Sequence, residues 1–363
     1  MTERILGPHG HDFTPVAEAL APFMGEEIVF IPGPGNAGDA LINLGTYAFL
    51  DRIGARYMRG DRSRTYAGRV VLHCGGGALV DVYPGGEDIL RRHHDTARAL
   101  ILLPHTVRAH GDLIARMDGR CTLFAREAES LDYLRAHRGA ARVARAPDMA
   151  LALSDSDIQA EPWSLRRLLD PEIRGPWLRM VAKFLLHARR DPVLRALRFD
   201  VEARGPVPAD SMDLTWFFSP GDMSRAHCAT AIKAIRLVTA AHERVETDRL
   251  HMAILAAIMG KPVTMIDNSY GKNSAMFRAS IAGRFPHVRF RHDGAEPARP
   301  DGTTRRNAAR TRPYAQPARP WQAAGLAESP QRLRSSTAAR PTGTAPEKAD
   351  ALPGPAGGGQ PGR

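Results

Sequence analysis

Short apolar runs alternate with helical segments between Glu27 and Leu153. Glu27–Ile31, Arg69–Cys74, Ala99–Leu103 and Cys121–Ala125 are short and mostly apolar, which predicts buried strands. Segments with helical patterns separate these runs. Strands that alternate with helices predict a parallel sheet that is covered by helices on both faces.

The second half of the chain repeats this alternation less regularly. Ser224–Ala234 predicts a helix and Ile235–Thr239 a strand, and Val263–Ile266 and Val288–Phe290 predict two further strands. Met180–Leu186 fits a strand or a buried helix equally well. We therefore expect a second α/β half that follows the first.

These patterns divide the chain into four segments. We expect an N-terminal half at 1–155, a Pro-punctuated crossover at 156–178, a C-terminal half at 179–293 and a tail at 294–363. The tail is rich in Pro, Ala, Gly, Arg and Thr and has no sustained apolar period. It is therefore predicted to be disordered.

The positive charge of the chain is concentrated in that tail. Of a formal net charge of +11, residues 294–363 carry +6, from 11 Lys and Arg against 5 Asp and Glu. The smaller excess elsewhere suits an anionic substrate or the headgroup of a lipid carrier and does not require a nucleic acid. The tail is either a dispensable extension, which we favour, or a basic arm that contacts an anionic membrane surface or an acidic polymer.

Cysteine usage and hydropathy bear on the location of the protein. Cys74, Cys121 and Cys228 are scattered and lack metal-ligand spacing, which fits a reducing compartment. Met1–Asp12 holds no apolar signal region, and no apolar run reaches the roughly 18 residues that span a membrane. We expect a cytoplasmic protein, with peripheral contact with a membrane as a further option.

Glycine-rich turns follow two of the predicted strands. Pro32–Asp39 has the sequence P-G-P-G-N-A-G-D and precedes a predicted helix over Ala40–Ile53, which directs backbone N–H groups toward a ligand. Its spacing is not that of a dinucleotide-binding G-x-G-x-x-G motif, and it lacks the Gly-Lys-Ser/Thr of a P-loop. Gly75–Gly77 forms a second glycine-rich segment, directly after Arg69–Cys74.

A cation and an imidazole begin an apolar helix in the second half. The sequence T-D-R-L-H at Thr247–His251 precedes a helical pattern that ends at Gly260, and the polar loop Asp267–Asn273 follows the next strand. An isolated pair such as Arg249 and His251 is more often structural than functional. At a helix N-terminus, however, the pair is also suited to bind an anion.

These motifs resemble the polysaccharide pyruvyl transferase family, whose members transfer the enolpyruvyl carbons of phosphoenolpyruvate to a sugar as a cyclic ketal. The resemblance covers about Glu27–Phe290, and His105 departs from the P-Q-[ST] that is common in the family. Leu197–Glu202 also fits an ordinary edge strand with alternating charge. The matching segments are G-N-x-G-D (Gly35–Asp39), G-G-G-x-L-x-x-x-Y-P (Gly75–Pro84), P-H-T (Pro104–Thr106), A-R-E-x-x-S (Ala125–Ser130), P-D-x-A (Pro147–Ala150), R-x-D-x-E (Arg198–Glu202) and T-D-R-L-H (Thr247–His251).

The resemblance implies two Rossmann-like halves that face each other across a cleft, as in glycosyltransferases of the GT-B type. The implied partners are phosphoenolpyruvate and a sugar acceptor, free or carried on a lipid-linked oligosaccharide. The chemistry requires no cofactor and no metal, although a divalent cation that shields the phosphate would be compatible with it.

The donor carries a phosphate and a carboxylate, so cations and helix N-termini are expected to bind it. Arg126 and Arg249 are the candidates for these two groups, and Lys272 can add a third positive charge. Glu127 is expected to hold Arg126 in place.

The reaction also needs a general acid and a general base. His251 is the best candidate to protonate the methylene carbon, because imidazole titrates near neutral pH. His105 is expected to assist His251 or to bind an anion, and Asp39 to orient or deprotonate the sugar hydroxyl. Further substrate contacts are assigned to Asn36, Gly38, Gly76 and Gly77.

Two other functions fit the same sequence. A nucleotide-sugar-dependent glycosyltransferase of GT-B type would use the same cations to hold a diphosphate. A non-catalytic polysaccharide-assembly protein would keep the fold without the chemistry.

Overall fold

The computed structural model describes residues 4–291, with the exceptions of 82, 84, 163–174, 176–177, 179–180, 183, 185–190, 201, 204–206, 209 and 218–221. Its contacts separate Met1–Tyr314 from Ala315–Arg363, and the second unit lies wholly outside the described residues. So do the predicted tail at 294–363, most of the crossover at 156–178 and four of the seven residues in Met180–Leu186. The segment boundaries therefore stay predictions.

The described strands form two parallel sheets. They are β1 (Glu27–Ile31), β2 (Arg56–Arg59), β3 (Val70–His73), β4 (Gly76–Leu79), β5 (Ala99–Val107), β6 (Cys121–Ala125), β7 (Arg142–Arg145), β8 (Val193–Ala196), β9 (Arg244–Thr247), β10 (Val263–Ile266) and β11 (Val288–Arg291). The first sheet has the order β2-β1-β3-β5-β6-β7, with β4 paired to the end of β5, and the second has the order β11-β10-β9-β8. All named pairs are parallel, which confirms the predicted α/β class.

Helices connect most of these strands. They are α1 (Thr14–Leu20), α2 (Ala37–Arg52), α3 (Asp88–His93), α4 (Gly111–Ala115), α5 (Ala128–His137), α6 (Asp155–Ala160), α7 (Leu214–Phe217), α8 (Arg225–Ala240), α9 (Leu250–Ile258) and α10 (Lys272–Met276). Gly260, with φ of 72°, lies directly after the end of α9, as the sequence predicts.

Helix α2 joins the two halves of the described chain. It is apolar on nearly every side and packs against α8, α9 and the short turn Met149–Ala152. Gly45 permits the close approach of that turn, since a Cβ atom there would lie 2.0 Å from the carbonyl oxygen of Met149. The packing fixes the start of α2 relative to both sheets.

The carboxyl ends of the two sheets face each other. A Cβ atom on Gly38, which follows β1, would lie 2.8 Å from Nδ1 of His251, which follows β9. A Cβ atom on Gly77, in β4, would lie 4.0 Å from Cδ of Lys272, which follows β10. Open α/β sheets bind their ligands at such edges, so the loops that meet here form the candidate site.

The strand predicted at Ile235–Thr239 is wrong, because these residues belong to α8. Ile235, Val238 and Thr239 are buried, whereas Leu237 is 52% exposed, which is the pattern of one helix face. A five-residue apolar run does not distinguish one and a half helical turns from a short strand. The strand of this region is β9, a few residues later.

Two other segments differ from their predicted form. Strand β5 continues past Leu103 to Val107, so His105 lies inside it; the extension is stabilised by β4, where Gly76 pairs with His105. The alternative of an edge strand at Leu197–Glu202 is wrong, because β8 ends at Ala196 and the following acidic and basic side chains form a buried network.

Candidate active site

A buried carboxylate, Asp148, lies next to two of the predicted site residues. Asp148 follows β7 and Arg126 follows β6, so both lie at the carboxyl edge of the first sheet. Nη1 of Arg126 donates to Oδ2 of Asp148 at 2.7 Å, and Nε2 of His251 lies 3.5 Å from the same oxygen. The side chains of Arg126 and Asp148 are each 1% exposed, so solvent screens this contact very little.

The pKa of Asp148 reflects a balance between burial and these neighbours. Burial alone would raise it, but the imidazole of His251 and the guanidinium of Arg126 outweigh burial and hold the pKa well below its usual range. Asp148 is therefore ionised at neutral pH. Its negative charge faces Nε2 of His251.

The other ring nitrogen of His251 faces the start of α2. Nε2 is buried and makes no hydrogen bond within the usual limits to any described residue. The nearest anion to it is Asp148. Nδ1 faces Gly38, where a Cβ atom would lie only 2.8 Å away. The glycine keeps the space beside Nδ1 open, and this nitrogen can act on a ligand at the start of α2.

Asn36 and Asp39 use their side chains to begin α2. Oδ1 of Asn36 accepts the N–H of Gly38 at 2.7 Å, and Oδ2 of Asp39 accepts the N–H of Asn36 at 3.0 Å, which is a capping box. Burial raises the pKa of Asp39, and the nearby His251 limits this rise. A carboxylate with a raised pKa is a stronger base than a solvated one.

Arg126 keeps one donor atom for a ligand. Its Nε donates to Oγ1 of Thr106 at 2.9 Å and its Nη1 to Asp148, while Nη2 has no hydrogen-bond partner in the described part of the chain. A Cβ atom on Gly77 would lie 2.9 Å from Nη2 and 4.0 Å from Cδ of Lys272. Gly77 thus leaves space where two predicted anion-binding side chains meet.

Glu127 does not pair with Arg126 as predicted. Its carboxylate accepts a hydrogen bond from Ser130, and it reaches Arg126 only through Thr106, whose Oγ1 lies 3.4 Å from Oε2 of Glu127. Glu127 precedes the first turn of α5, so its side chain lies along that helix toward Ser130. The carboxylate that holds Arg126 comes instead from Asp148, after the neighbouring strand.

His105 is a buried residue in the middle of the first-half site. Its Nε2 accepts the N–H of Ala78 at 3.1 Å, and a Cβ atom on Gly76 would lie 3.3 Å from its Cε1. Burial, together with the nearby His73, holds the pKa of His105 well below its usual value. The ring is therefore neutral near pH 7 and supports β4 rather than contributing a positive charge.

Arg249 is paired with two carboxylates. Its Nε and Nη2 donate to Asp213, and its Nη1 lies 2.9 Å from Oδ2 of Asp200. Burial alone would lower the pKa of Arg249, but Asp213 and Asp200 outweigh it and raise the pKa. Each of the three guanidinium nitrogens thus faces an acid, and a ligand anion that binds Arg249 must compete with Asp213 and Asp200.

Glu202 accepts hydrogen bonds from both halves. Its Oε2 accepts from Nζ of Lys272 at 2.8 Å and from Nδ2 of Asn268 at 2.9 Å, and its carboxylate also pairs with Arg198 and Tyr83. Burial alone would raise the pKa of Glu202, but Lys272 and Arg198 outweigh it and hold the pKa well below its usual range. A ligand anion that binds Lys272 must therefore compete with Glu202.

Asp248, next to Arg249, is one of two described acids whose pKa is raised, and Asp39 is the other. Burial raises the pKa of Asp248 to about 6, although Arg198 and Arg249 oppose the rise. Its Oδ1 accepts the backbone N–H of Arg198 at 2.8 Å.

The acids that pair with the predicted cations were not identified from the sequence. Three of them lie inside quoted motifs: Asp148 in P-D-x-A, and Asp200 and Glu202 in R-x-D-x-E. Those motifs were the feature that could have identified them. Nothing in the local sequence distinguishes Asp213.

The part of the chain that the structure describes offers neither a metal site nor a membrane-spanning helix. Within that part of the chain, no group of three or more His, Cys, Asp and Glu side chains is arranged to hold a metal ion. No helix described between residues 4 and 291 has both the length and the apolar character needed to cross a membrane.

Comparison with known proteins points to one family. Residues 36–270 match the family model described as polysaccharide pyruvyl transferase. A segment of 51 residues, 14% of this chain, is 49% identical to the Bacillus subtilis protein named "Putative pyruvyl transferase EpsO" and spans 16% of that protein's length. A crystal structure of a functionally uncharacterised Klebsiella pneumoniae protein superposes with a TM-score of 0.61 at 22% identity, covering 77% of this chain and 99% of that one; it supports the fold alone.

Proposed function

Because the chain belongs to the polysaccharide pyruvyl transferase family, we propose that it transfers pyruvate from phosphoenolpyruvate to a sugar of an exopolysaccharide, or of its lipid-linked precursor, as a cyclic ketal. The observation that supports this best is the contact of Asp148 with both Arg126 and His251. One carboxylate orients a proton donor and a guanidinium that retains a donor for an anion. Phosphoenolpyruvate requires both groups.

The donor is proposed to lie between the start of α2 and β4. Nη2 of Arg126 and Nζ of Lys272 would bind its phosphate, beside the backbone of Gly77. The N–H groups at the start of α2 favour a negative charge there. Arg249 would take the donor's carboxylate by exchange with Asp200 or Asp213.

The first chemical step is proton transfer to carbon. Nδ1–H of His251 protonates the methylene carbon of phosphoenolpyruvate, which becomes the methyl group, and the positive charge develops on C2. Asp148 stabilises the imidazolium before the step and holds the neutral ring afterwards through Nε2. An acceptor hydroxyl then forms a bond to C2 and passes its proton to Asp39, which has a raised pKa.

The second step closes the ketal. The C2–O bond to phosphate breaks, inorganic phosphate leaves with the bonding electrons, and a second hydroxyl of the same sugar attacks C2. Of the two hydroxyl protons, one is taken up by the departing phosphate, and the other passes by way of Asp39 and solvent to His251 and restores its proton. The methyl group keeps the proton that came from His251. The net reaction consumes one phosphoenolpyruvate and releases one phosphate for each ketal.

Isothermal titration with phosphoenolpyruvate and, separately, with UDP-glucose tests the choice of donor. We expect saturable binding of phosphoenolpyruvate that weakens at least about tenfold in Arg126→Gln, because a charge-assisted hydrogen bond is lost. Arg120→Gln is the matched control, since Arg120 is exposed and pairs locally with Asp118. Binding of UDP-glucose without binding of phosphoenolpyruvate would favour the glycosyltransferase alternative and contradict the proposal.

A further inference from the structure

Arg62 differs from the buried arginines of the site because it is unpaired within the described part of the chain. Arg126, Arg198 and Arg249 each pair with a buried carboxylate. Arg62 is half-buried, yet it makes no hydrogen bond or ion pair with any residue that the structure describes. Burial lowers its pKa, but a guanidinium remains charged in proteins. A poorly solvated, unpaired cation is unfavourable unless a ligand supplies the anion.

The loop that carries Arg62 is well anchored. The N–H of Gly60 donates to the carbonyl oxygen of Phe30 at 2.7 Å, which ties the loop to the end of β1. Asp61 accepts the N–H of Ser63 at 2.8 Å, and this bond closes a turn around Arg62. The fold therefore fixes the backbone of the loop at Arg62.

The sheet order places Arg62 on the far side of Asp39 from Arg126. Arg62 follows β2, Asp39 follows β1 and Arg126 follows β6, in a parallel sheet of order β2-β1-β3-β5-β6-β7. Four strand spacings separate β2 from β6, or about 19 Å. This length accommodates the donor near Arg126 and a sugar beside Asp39.

Electrostatic interactions support this placement. Burial lowers the pKa of Arg62, and Arg92 adds to this effect, whereas the nearby Cys74, Asp88 and Asp39 oppose it. Arg62 in turn lowers the pKa of His73, at the end of β3, adding to the effect of burial. Arg62 thus interacts electrostatically with groups that follow or end β1 and β3, at the carboxyl edge of the sheet where a ligand would bind.

We propose that Arg62 forms an anion subsite for the acceptor, binding a carboxylate or phosphate on the sugar that receives pyruvate. The inference rests on the proposed function, because it takes Asp39 as the residue that meets the sugar hydroxyl. The anion has two possible sources. It is the carboxylate of an acidic sugar, or it is the phosphate that joins a sugar to a carrier lipid.

The test is an NMR titration of the full-length protein with glucuronic acid, glucose 1-phosphate and methyl glucoside. We expect at least one of the two anionic sugars to bind about tenfold or more tightly than methyl glucoside. Arg62→Gln should abolish this preference, whereas Arg64→Gln, an exposed arginine of the same loop, should keep it. Preference for glucuronic acid identifies the acidic sugar, and preference for glucose 1-phosphate identifies the phosphate linkage.

The same variants separate this inference from the proposed function. Equal binding of all three sugars, or a preference for an anion that survives Arg62→Gln, would overturn the subsite. If, with either of these outcomes, phosphoenolpyruvate binds the wild type and Arg62→Gln equally well, the proposed donor stands and only the subsite is wrong. An Arg62-dependent preference without binding of phosphoenolpyruvate would retain the subsite and refute the donor. Thermal unfolding of each variant confirms that it is folded.

Discussion

Nε2 of His251 and Oδ2 of Asp148 lie 3.5 Å apart, although the two residues come from different halves of the molecule. The contact joins the carboxyl edge of the first sheet to the start of α9. It orients the imidazole so that Nδ1 faces Gly38 and the open space at the start of α2. The same carboxylate holds Arg126, so one residue positions both the proton donor and the anion-binding group.

Replacing Asp148 by Asn should reduce turnover by about 10²-fold or more, because the imidazolium loses its anion and the ring its fixed orientation. Steady-state rates of transfer provide the measurement. Asp155→Asn, which breaks the surface pair with Arg236, serves as the control. An unchanged rate in Asp148→Asn would argue against the contact between Asp148 and His251.

Gly38→Ala should impair catalysis without unfolding the protein. The new Cβ atom would lie 2.8 Å from Nδ1 of His251, so the ring must move, and a displacement of about 1 Å costs on the order of 10²-fold in rate. Alanine within a helix is otherwise favoured over glycine by about 0.5–1 kcal/mol. Urea unfolding together with steady-state rates tests both parts. A Cβ atom on Gly119 would have nothing within 4 Å, so Gly119→Ala should change neither stability nor rate. Wild-type rates in Gly38→Ala would show that Nδ1 is not the reacting atom.

Glu202→Ala should destabilise the fold strongly. Removing this buried acid leaves Lys272 and Arg198 without a shared partner, and breaking such a pair costs about 3–5 kcal/mol. Glu26→Ala removes the exposed pair with Arg98 and should cost less than about 1 kcal/mol. The free energy of unfolding, measured by urea titration, distinguishes the two variants. Equal losses of this free energy in Glu202→Ala and Glu26→Ala would show that the Glu202 network contributes no special stability.

Asp248 should make the free energy of unfolding fall as pH rises. Its pKa is 3.8 in an unfolded reference and about 6 in the fold, so the folded state binds more protons between these values. By linkage, stability decreases from about pH 4 to pH 6, by about 3 kcal/mol for this group alone. Asp248→Asn keeps an oxygen for the N–H of Arg198 and removes the charge.

The variant should therefore gain stability relative to the wild type at pH 7.5 and little at pH 4.5. Urea titrations at both pH values measure this difference, and Asp118→Asn, an exposed acid, provides the control. A difference between variant and wild type that does not change with pH would refute the raised pKa of Asp248.

Much of the first half could be predicted from the sequence because its features are local. Buried strands such as Glu27–Ile31 are short apolar runs, and the glycine-rich turns follow them directly. Within α8, by contrast, Ile235–Thr239 is as apolar as a strand, and only the neighbouring packing shows that it is helical. A local pattern does not contain that information.

The candidate site was predictable in its cations but not in their pairing. Arg126, Arg249 and Lys272 were identified from motifs, yet their partners lie 22 to 70 residues away in the chain. Pairing at this separation depends on strand order, which a single sequence does not specify. Arg62 was missed for the opposite reason, because its distinctive property is the absence of any partner among the described residues.

The most direct test of the proposed proton transfer from His251 is to run the reaction in D2O. The substrates are phosphoenolpyruvate and the polysaccharide of the producing strain, from which mild acid has first removed any pyruvate ketals. Mass spectrometry of the product, for wild type and His251→Asn, reports whether the ketal methyl group received a proton from the solvent-exchanged enzyme. We expect one deuterium per methyl group with the wild type. We expect His251→Asn to lose transfer while it retains its fold. An unlabelled methyl group, or transfer by His251→Asn at the wild-type rate, would contradict the proposed proton transfer.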